Sequence, residues 1–167
     1  DNLQIIFATS AGDVRRNALS DFTNVRSNGK IAMDLNEGIE LVNARIAGEE
    51  DDIMLFTDSG RAIRFSTTAV RVFKGRKSTG VRGIKLLGKD KVVSMSVIRH
   101  FIATPDERSA YLKMRRAVSG LVDEEINSDE DDVNENATIS PDRYAEMSAS
   151  ENLILTITSG GAGKLSS

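Results

Sequence analysis

The segment Ile53-Met-Leu-Phe-Thr-Asp-Ser-Gly-Arg-Ala-Ile-Arg-Phe65 repeats the pattern of residues 5–17, Ile-Ile-Phe-Ala-Thr-Ser-Ala-Gly-Asp-Val-Arg-Arg-Asn. A shortened third copy, Leu-Ile-Leu-Thr-Ile-Thr-Ser-Gly-Gly-Ala-Gly-Lys-Leu, occupies residues 153–165. Each copy is a short apolar run, a turn containing Gly and a second run, which is the pattern of a β-hairpin. Since the first two copies begin about 50 residues apart, the chain is predicted to be a repeat protein built from β-blades.

The repeat continues beyond each hairpin. Residues 27–35 align with residues 78–86, and Leu41-Val42 aligns with Val92-Val93. Each unit is therefore predicted to be a four-stranded antiparallel blade of short strands separated by polar turns. Alternation at a period of two places one face of each hairpin on a core; the residues predicted for that face are Ile5, Phe7, Ile53, Leu55, Leu153 and Leu155.

These alignments divide the chain into four segments. Residues 1–50 are predicted to form a first blade, residues 51–104 a second, and residues 152–167 the truncated start of a third. Residues 105–151 interrupt the repeat as an insertion. Two and a half blades are few for a closed ring, because stacked repeats need at least three units with caps. We therefore expect the sequence to be a piece of a longer protein.

The insertion carries two helix signals and an acidic run. Thr104-Pro105 and Ser140-Pro141 each place a capping side chain before a proline at the first helical position. Helices are predicted from about 105 to 119 and from 141 to about 149. Between them, residues 123–135 hold eight acids and no base, a composition that predicts a disordered loop.

Composition sets broad limits on the class of protein. The chain has 167 residues, of which 40% are hydrophobic, and it has no Cys. No apolar run is long enough to cross a bilayer or to act as a secretory signal. Disulfide scaffolds and cysteine zinc sites are excluded, and a cytosolic location is predicted.

Charge is distributed unevenly, although the net charge is only -3. Residues 61–99 hold eleven Lys and Arg against the single acid Asp90, whereas residues 34–52 hold seven acids against Arg45. Such a one-sided basic strip favours a polyanion backbone as ligand. The basic residues in or beside its Gly-rich loop are Arg71, Lys74, Arg76, Lys77, Arg82 and Lys85.

Over essentially its whole length, the chain resembles the C-terminal domain of the A subunit of bacterial DNA gyrase, with the equivalent domain of topoisomerase IV as second choice. The resemblance is strongest over residues 53–65 and 78–94, and residues 8–16 and 30–35 resemble the preceding blade of that family. It implies an all-β, propeller-like β-pinwheel of six blades, of which this chain would be a partial ring. The family's Gln-Arg-Arg-Gly-Gly-Lys-Gly box is missing, and the helical, acidic insertion is not part of the common blade.

The resemblance also implies a function. The basic rim of such a domain bends double-stranded DNA and presents it for strand passage in supercoiling by an ATP-dependent type IIA topoisomerase. Partners would be duplex DNA, the rest of the gyrase A subunit, plus the gyrase B subunit, in the bacterial cytoplasm at the nucleoid, with no membrane and no small-molecule substrate. No cofactor is expected in this fragment, because ATP and Mg²⁺ would bind elsewhere in the holoenzyme.

Two sets of contacts to DNA are predicted. The second blade supplies the six basic residues named above. The first blade supplies a weaker set, Arg15, Arg16, Arg26 and Lys30. For the strand residues Arg15, Arg16 and Arg64, a merely solvent-exposed position is an equal alternative.

No catalytic or metal site is predicted. Arg143-Tyr144 resembles the Arg-Tyr pair of topoisomerase cleavage sites but lacks the surrounding pattern, and His100 has no evident partner. The carboxylates at residues 49–52 and 129–132 are expected to stay solvated. Gly160-Gly-Ala-Gly163 lacks the Lys-Ser/Thr ending of a phosphate-binding loop and predicts a hairpin turn.

Three other hypotheses stay open. A protein-interaction propeller would use apolar patches and bind independently of salt. A polysaccharide- or RNA-binding domain would need exposed aromatic side chains, and only 5% of the chain is aromatic. The acidic run at residues 123–135 is either a solubilising segment or a competitor of DNA for the basic rim.

Overall fold

The computed structural model describes residues 3–119 and 137–167. The acidic run predicted at residues 123–135 lies outside the described residues. The chain forms two compact units, Asp1–His100 and Phe101–Ser167. The finer division into blades at residues 50, 104 and 151 stays a prediction.

The first sheet is antiparallel and has the strand order β3-β1-β2-β6. Its strands are β1 (Gln4–Thr9), β2 (Asp13–Ala18), β3 (Leu41–Ala47) and β6 (Val81–Arg82). Gly12 closes the β1–β2 hairpin with φ of 85°, a left-handed conformation that costs Gly little. A short 3₁₀ helix, Leu19–Phe22, follows β2.

The second sheet repeats the same hairpin. It has the order β5-β4-β7, with β4 (Asp51–Thr57), β5 (Ala62–Ser66) and β7 (Val92–Arg99). Its turn copies the first, because Gly60 N donates to Thr57 O at 3.0 Å as Gly12 N donates to Thr9 O at 2.9 Å. The predicted repeat of antiparallel β-hairpins is therefore confirmed.

The fourth strand of the first sheet comes from the second repeat. β6 pairs with β2 through Asp13↔Arg82 and Val14↔Val81. The predicted strand at residues 27–35 is absent from the structure, so the expectation that each unit supplies its own four strands is wrong. β3 and β6 already occupy both edges of the β1–β2 hairpin, which leaves that segment no edge to pair with.

The core lies between the two sheets. Ile53 and Leu55 of the second sheet are fully buried there, as predicted. In the first sheet the shared core takes Ile6 and Ala8 instead of the predicted Ile5 and Phe7; Phe7 is buried on the opposite face, with its ring 5.7 Å from that of Phe22. The two sheets therefore contribute opposite faces of the repeat, as in head-to-tail stacking of blades. Each fully buried Ile or Leu stabilises the fold by about 1.5–3 kcal/mol.

The second unit contains two helices and one hairpin. The helices are α1 (Pro105–Ser119) and α2 (Pro141–Ser150), close to the predicted bounds. The Tyr111 and Tyr144 rings lie 5.2 Å apart between them. The hairpin of β8 (Ile154–Ile157) and β9 (Gly163–Ser166) confirms the predicted turn around Gly161.

The third copy of the repeat differs from the first two in burial. Leu153 and Leu155 are 50% and 62% exposed, although their counterparts Ile53 and Leu55 are fully buried. The prediction that these two leucines lie on a core is therefore wrong for this structure. Among the described residues of Phe101–Ser167, no second sheet packs on this hairpin.

Within the described ranges 3–119 and 137–167, none of the helices is both long enough and apolar enough to cross a membrane.

Candidate nucleic-acid interface

The segment from Arg71 to Ser78, called the basic loop from here on, connects the 3₁₀ helix Thr67–Ala69 to β6. Together with Arg15 it lines an open depression of about 580 Å³. The loop is fixed to the first sheet by its backbone, because Phe73 N donates to Arg16 O at 2.7 Å. A segment of the second repeat thus lies on the β2 strand of the first.

Four of the predicted cations lie together on this loop. The side chains of Arg71, Lys74 and Lys77 are exposed, and Arg76 is half-buried. The Arg71 guanidinium lies 3.9 Å from the centre of the Phe73 ring. Among the residues that the structure describes, none of the four forms an ion pair with a carboxylate. The loop therefore presents positive charge that no described acid neutralises.

Arg82 and Lys85 follow the basic loop along the chain and are exposed. Arg82 lies opposite Asp13 in the β2–β6 ladder. Burial raises the pKa of the Asp13 carboxyl, and the Arg82 charge opposes that rise. Arg82 is thus partly balanced by one acid.

Arg26 and Lys30 lie on a different loop of the first repeat. Arg26 is exposed, whereas Lys30 is half-buried, with its ammonium donating to the carbonyl oxygen of Asp21 and lying 6.0 Å from the Phe22 ring. The Lys30 ammonium therefore already has contacts within the first repeat, whereas the Arg26 side chain is exposed.

Arg15 and Arg16 were predicted either to contact DNA or to lie on a solvent-exposed face of a strand, and the structure places them in neither position. Arg15 is 1% exposed and Arg16 is 7% exposed, so they are not on a solvent-facing surface and do not present their guanidinium groups to it. Arg16 Nη1 donates to Gln4 Oε1 at 3.2 Å. Arg15 instead donates to the basic loop, through Nη1 to Ser78 O at 2.6 Å. Of the two, only Arg15 contacts the candidate site with its side chain.

Two further side chains shape this site and were not predicted from the sequence. Asn17 is fully buried and donates to the Phe73 carbonyl oxygen at 2.8 Å. Phe73 itself is 6% exposed, and the guanidinium groups of Arg15 and Arg71 both lie close to its ring centre, at 4.8 and 3.9 Å. Nothing in the sequence of β2 around Asn17 indicates that this side chain is buried or that it binds the Phe73 carbonyl group.

The residues considered for catalysis have other roles in the structure. Arg143 on α2 donates to Glu107 Oε1 at 2.9 Å and to Glu146 Oε2 at 2.7 Å. His100 does have an acidic partner, contrary to the sequence prediction, because its Nδ1 lies 2.9 Å from Asp52 Oδ1. Asp52 is only 3% exposed and also binds Arg64 Nε at 2.7 Å, so the expectation that the carboxylates at residues 49–52 stay solvated is wrong for Asp52.

Proteins of similar sequence belong to a family whose described fold agrees with this architecture. The sequence model of a family described as DNA gyrase C-terminal domain, beta-propeller, matches residues 4–47 and 51–99. The chain is 46% identical over its whole length to the DNA gyrase A subunit of Granulibacter bethesdensis, and it covers 19% of that protein. It is 43% identical over its whole length to the corresponding protein of Rickettsia bellii, of which it covers 18%. The chain thus spans about a fifth of the length of these curated relatives.

Solved structures agree in fold. A DNA gyrase A C-terminal domain superposes on 59% of the chain, which covers 32% of that domain, with a TM-score of 0.52 and 26% identity. A topoisomerase IV C-terminal domain superposes on 60% of the chain, which covers 31% of that domain, with a TM-score of 0.56 and 24% identity. Because the family match covers more than half of the chain and the relatives align with all of it, the chain belongs to the DNA gyrase C-terminal domain family.

Proposed function

We propose that the basic loop binds the phosphate backbone of duplex DNA and that the chain serves as part of a DNA-wrapping domain. The observation that carries this proposal is the gathering of Arg71, Lys74, Arg76 and Lys77 around one open depression, without a carboxylate ion-pair partner among the described residues. Exposed Arg82, Lys85 and Arg26 would add further phosphate contacts.

The chemistry of these groups suits phosphate better than bases. Each phosphate that a Lys or Arg neutralises releases counterions, and such contacts carry no sequence information directly. Arg76 lines the depression, where its guanidinium would be placed to donate to a phosphate oxygen.

Binding along a curved surface would bend the duplex. Bending 20 to 30 base pairs costs about 1–6 kcal/mol, and several phosphate contacts offset that cost. The proposed blades at residues 1–50 and 51–104 carry all of the cations named above and would distribute those contacts over the surface of the first unit.

The activity of the whole protein is inferred from the relatives, which are A subunits of DNA gyrase. We infer that the chain acts within an ATP-dependent type IIA topoisomerase, joined to the rest of the A subunit, with the B subunit, at the nucleoid of a bacterial cytoplasm. Its own role would be to bend and present DNA for strand passage. Catalysis, ATP and Mg²⁺ would belong to other parts of that enzyme.

An electrophoretic mobility shift at low salt tests the binding. The full chain should bind two long duplexes of unrelated sequence with similar affinity. The variant Lys74→Ala, Arg76→Ala, Lys77→Ala should bind both at least about tenfold more weakly, because three phosphate contacts are lost.

A matched control changes the net charge by the same amount elsewhere. Arg45→Ala, Lys89→Ala, Lys91→Ala removes three exposed cations outside the proposed contact and should bind nearly as well as the unchanged chain. Absence of duplex binding by the unchanged chain, or equal weakening in both triple variants, would contradict the proposal.

A further inference from the structure

Arg15 and Asn17 are two positions apart on β2, so their side chains lie on the same face of the first sheet. Both are buried, with 1% and 0% exposure. They bind each other, because Arg15 Nε donates to Asn17 Oδ1 at 2.8 Å. The pair therefore forms one polar unit on this face of the strand.

The other side-chain hydrogen bonds of this pair reach the basic loop, apart from a longer one from Asn17 Nδ2 to Asp21 Oδ2 at 3.5 Å. Arg15 Nη1 donates to the Ser78 carbonyl oxygen at 2.6 Å and to Ser78 Oγ at 2.9 Å. Asn17 Nδ2 donates to the carbonyl oxygens of Phe73 at 2.8 Å and Gly75 at 3.1 Å. Two side chains of the first repeat thus hold three carbonyl groups of a loop that lies 56 to 63 residues away in the sequence.

The Phe73 ring extends this connection to the solvent-exposed cations. The Arg15 guanidinium lies 4.8 Å from the ring centre, and the Arg71 guanidinium lies 3.9 Å from it. Cations above an aromatic ring are attracted by its quadrupole. The ring therefore places one buried and one exposed guanidinium in a single cluster.

Burying the charged Arg15 side chain costs free energy of desolvation, which hydrogen bonds to its donors must offset. Burial lowers the pKa of Arg15, and the nearby charges of Arg71 and Arg76 lower it further, against the opposing effect of Asp34. Buried charges persist in folded proteins when hydrogen bonds satisfy their donors. Arg15 donates to Asn17 Oδ1 and to the carbonyl and hydroxyl oxygens of Ser78. Part of what offsets the cost of its burial therefore depends on the loop keeping its conformation.

We propose that Arg15 and Asn17 are positioning residues for DNA binding, since they hold the basic loop in the shape that presents Arg71, Lys74, Arg76 and Lys77. This inference rests on the proposed function of the loop and adds residues that do not touch DNA themselves. A loop ordered before binding loses less conformational entropy on binding, which strengthens the complex.

Two variants separate loop order from loop charge. Arg15→Lys keeps the positive charge but loses the planar fork that reaches Asn17 and Ser78 together. Asn17→Ala removes the bonds to Phe73 and Gly75, and also the acceptor of Arg15 Nε, without changing any charge. Arg16→Lys is the matched control, because Arg16 is also buried on β2 but its side chain binds Gln4 instead of the loop.

Loop order is measured by trypsin digestion of the full chain without DNA, with mass spectrometry of cleavage after Lys74, Arg76 and Lys77. Since cleavage follows local opening, Arg15→Lys and Asn17→Ala should raise its rate about tenfold. Cleavage after Lys89, in the same molecules, is the internal standard. Arg16→Lys should leave the loop as resistant as in the unchanged chain.

Duplex affinity is measured on the same samples, with circular dichroism as the check on folding. Affinity should fall about three- to tenfold in both variants, while the dependence on salt stays the same, because the number of phosphate contacts is unchanged. A merely structural role would lower the melting temperature and leave affinity unchanged well below it.

The outcomes are distinguishable. Folded Arg15→Lys and Asn17→Ala chains with unchanged loop cleavage and unchanged affinity would overturn the positioning role, and if one of them fails to fold, the other decides. An unchanged chain whose loop resists trypsin but which does not bind duplex would contradict the proposed function instead, and not the ordering of the loop.

Discussion

At the residue scale, Asp52 illustrates how one repeat position is used in two ways. In the first repeat this position is Gln4, which accepts from Arg16 at 3.2 Å. In the second repeat Asp52 accepts from Arg64 at 2.7 Å and lies beside His100. Burial alone raises the pKa of Asp52, but the hydrogen bonds from His100 and Arg64 outweigh that effect and hold the pKa below its usual range. The contact of an arginine with a neutral amide in the first repeat thus corresponds to an ionic cluster in the second.

Asp52→Asn should lower the free energy of unfolding at neutral pH by about 1–3 kcal/mol, because a buried acceptor of charged hydrogen bonds is weakened. Urea denaturation followed by circular dichroism measures this difference. Asp58→Asn, which changes an exposed acid just after the same strand, is the control and should change stability by less than about 0.5 kcal/mol.

The same cluster predicts how stability depends on pH. A carboxyl whose pKa is lower in the folded state stabilises the fold above its unfolded pKa of about 3.9. That contribution is lost as the pH falls through the lower, folded pKa of Asp52. The stability difference between the unchanged chain and Asp52→Asn should therefore shrink as the pH falls below about 4. A difference that stays constant down to about pH 2 would contradict this account.

Gly80, just after the basic loop, occupies a position where the backbone conformation and the space around it both require glycine. Its φ is +105°, and a Cβ there would overlap the carbonyl oxygen of Val14 on β2. Gly80→Ala should therefore destabilise the chain by about 2–4 kcal/mol. Gly29→Ala is the matched control, since Gly29 also has a positive φ of +81° but open space around it, and should cost about 1–2 kcal/mol. Equal losses in thermal or urea unfolding would show that the contact with β2 does not matter.

At the scale of elements, the start of α1 is held by a reciprocal pair of bonds. Thr104 Oγ1 accepts from Glu107 N at 3.1 Å, and Glu107 Oε2 accepts from Thr104 N at 2.8 Å. Hydrogen bonds from Arg143 and the Thr104 amide keep the pKa of Glu107 below its usual range. One carboxylate thus both caps α1 and binds α2.

Thr104→Ala should lower the local stability of the first turn of α1 by about 1 kcal/mol, the usual contribution of an N-cap side chain. Hydrogen exchange at the backbone amides of residues 108–112 should accelerate about fivefold as a result. Arg108→Ala, an exposed change within the same helix, is the control. Equal protection in Thr104→Ala and the unchanged chain would rule out the capping role.

Elements with local signals were predictable from the sequence. Thr104-Pro105 and Ser140-Pro141 predicted both helix starts, and the Gly turns predicted the hairpins. β6 lies within residues 78–86, where the repeat alignment placed a strand. Its pairing with β2 could not be predicted, because β2 lies far earlier in the chain and only the tertiary structure brings them together. The absence of a strand at residues 27–35 has the same cause, since β6 takes the edge that this segment would need.

At the scale of the whole molecule, the exchange of β6 explains where the candidate site lies. Because a strand of the second repeat completes the first sheet, the loop before it lies over β2. The basic residues of that loop are visible in the sequence itself. The burial of Arg15 and Arg16 was not predicted, since charged strand residues ordinarily face solvent. Here the second repeat covers β2, and the sequence of residues 13–18 contains no pattern that indicates this covering.

The most direct test of the central claim is the slope of log affinity against log salt concentration for long duplex DNA. If the basic loop binds phosphates, Lys74→Ala, Arg76→Ala, Lys77→Ala should reduce the magnitude of that slope by about 2–3, since each phosphate contact contributes about 0.9. Arg45→Ala, Lys89→Ala, Lys91→Ala, with the same change in net charge, should leave the slope within about 1 of the original value. A slope unchanged in the loop variant, or reduced equally in both, would contradict the account.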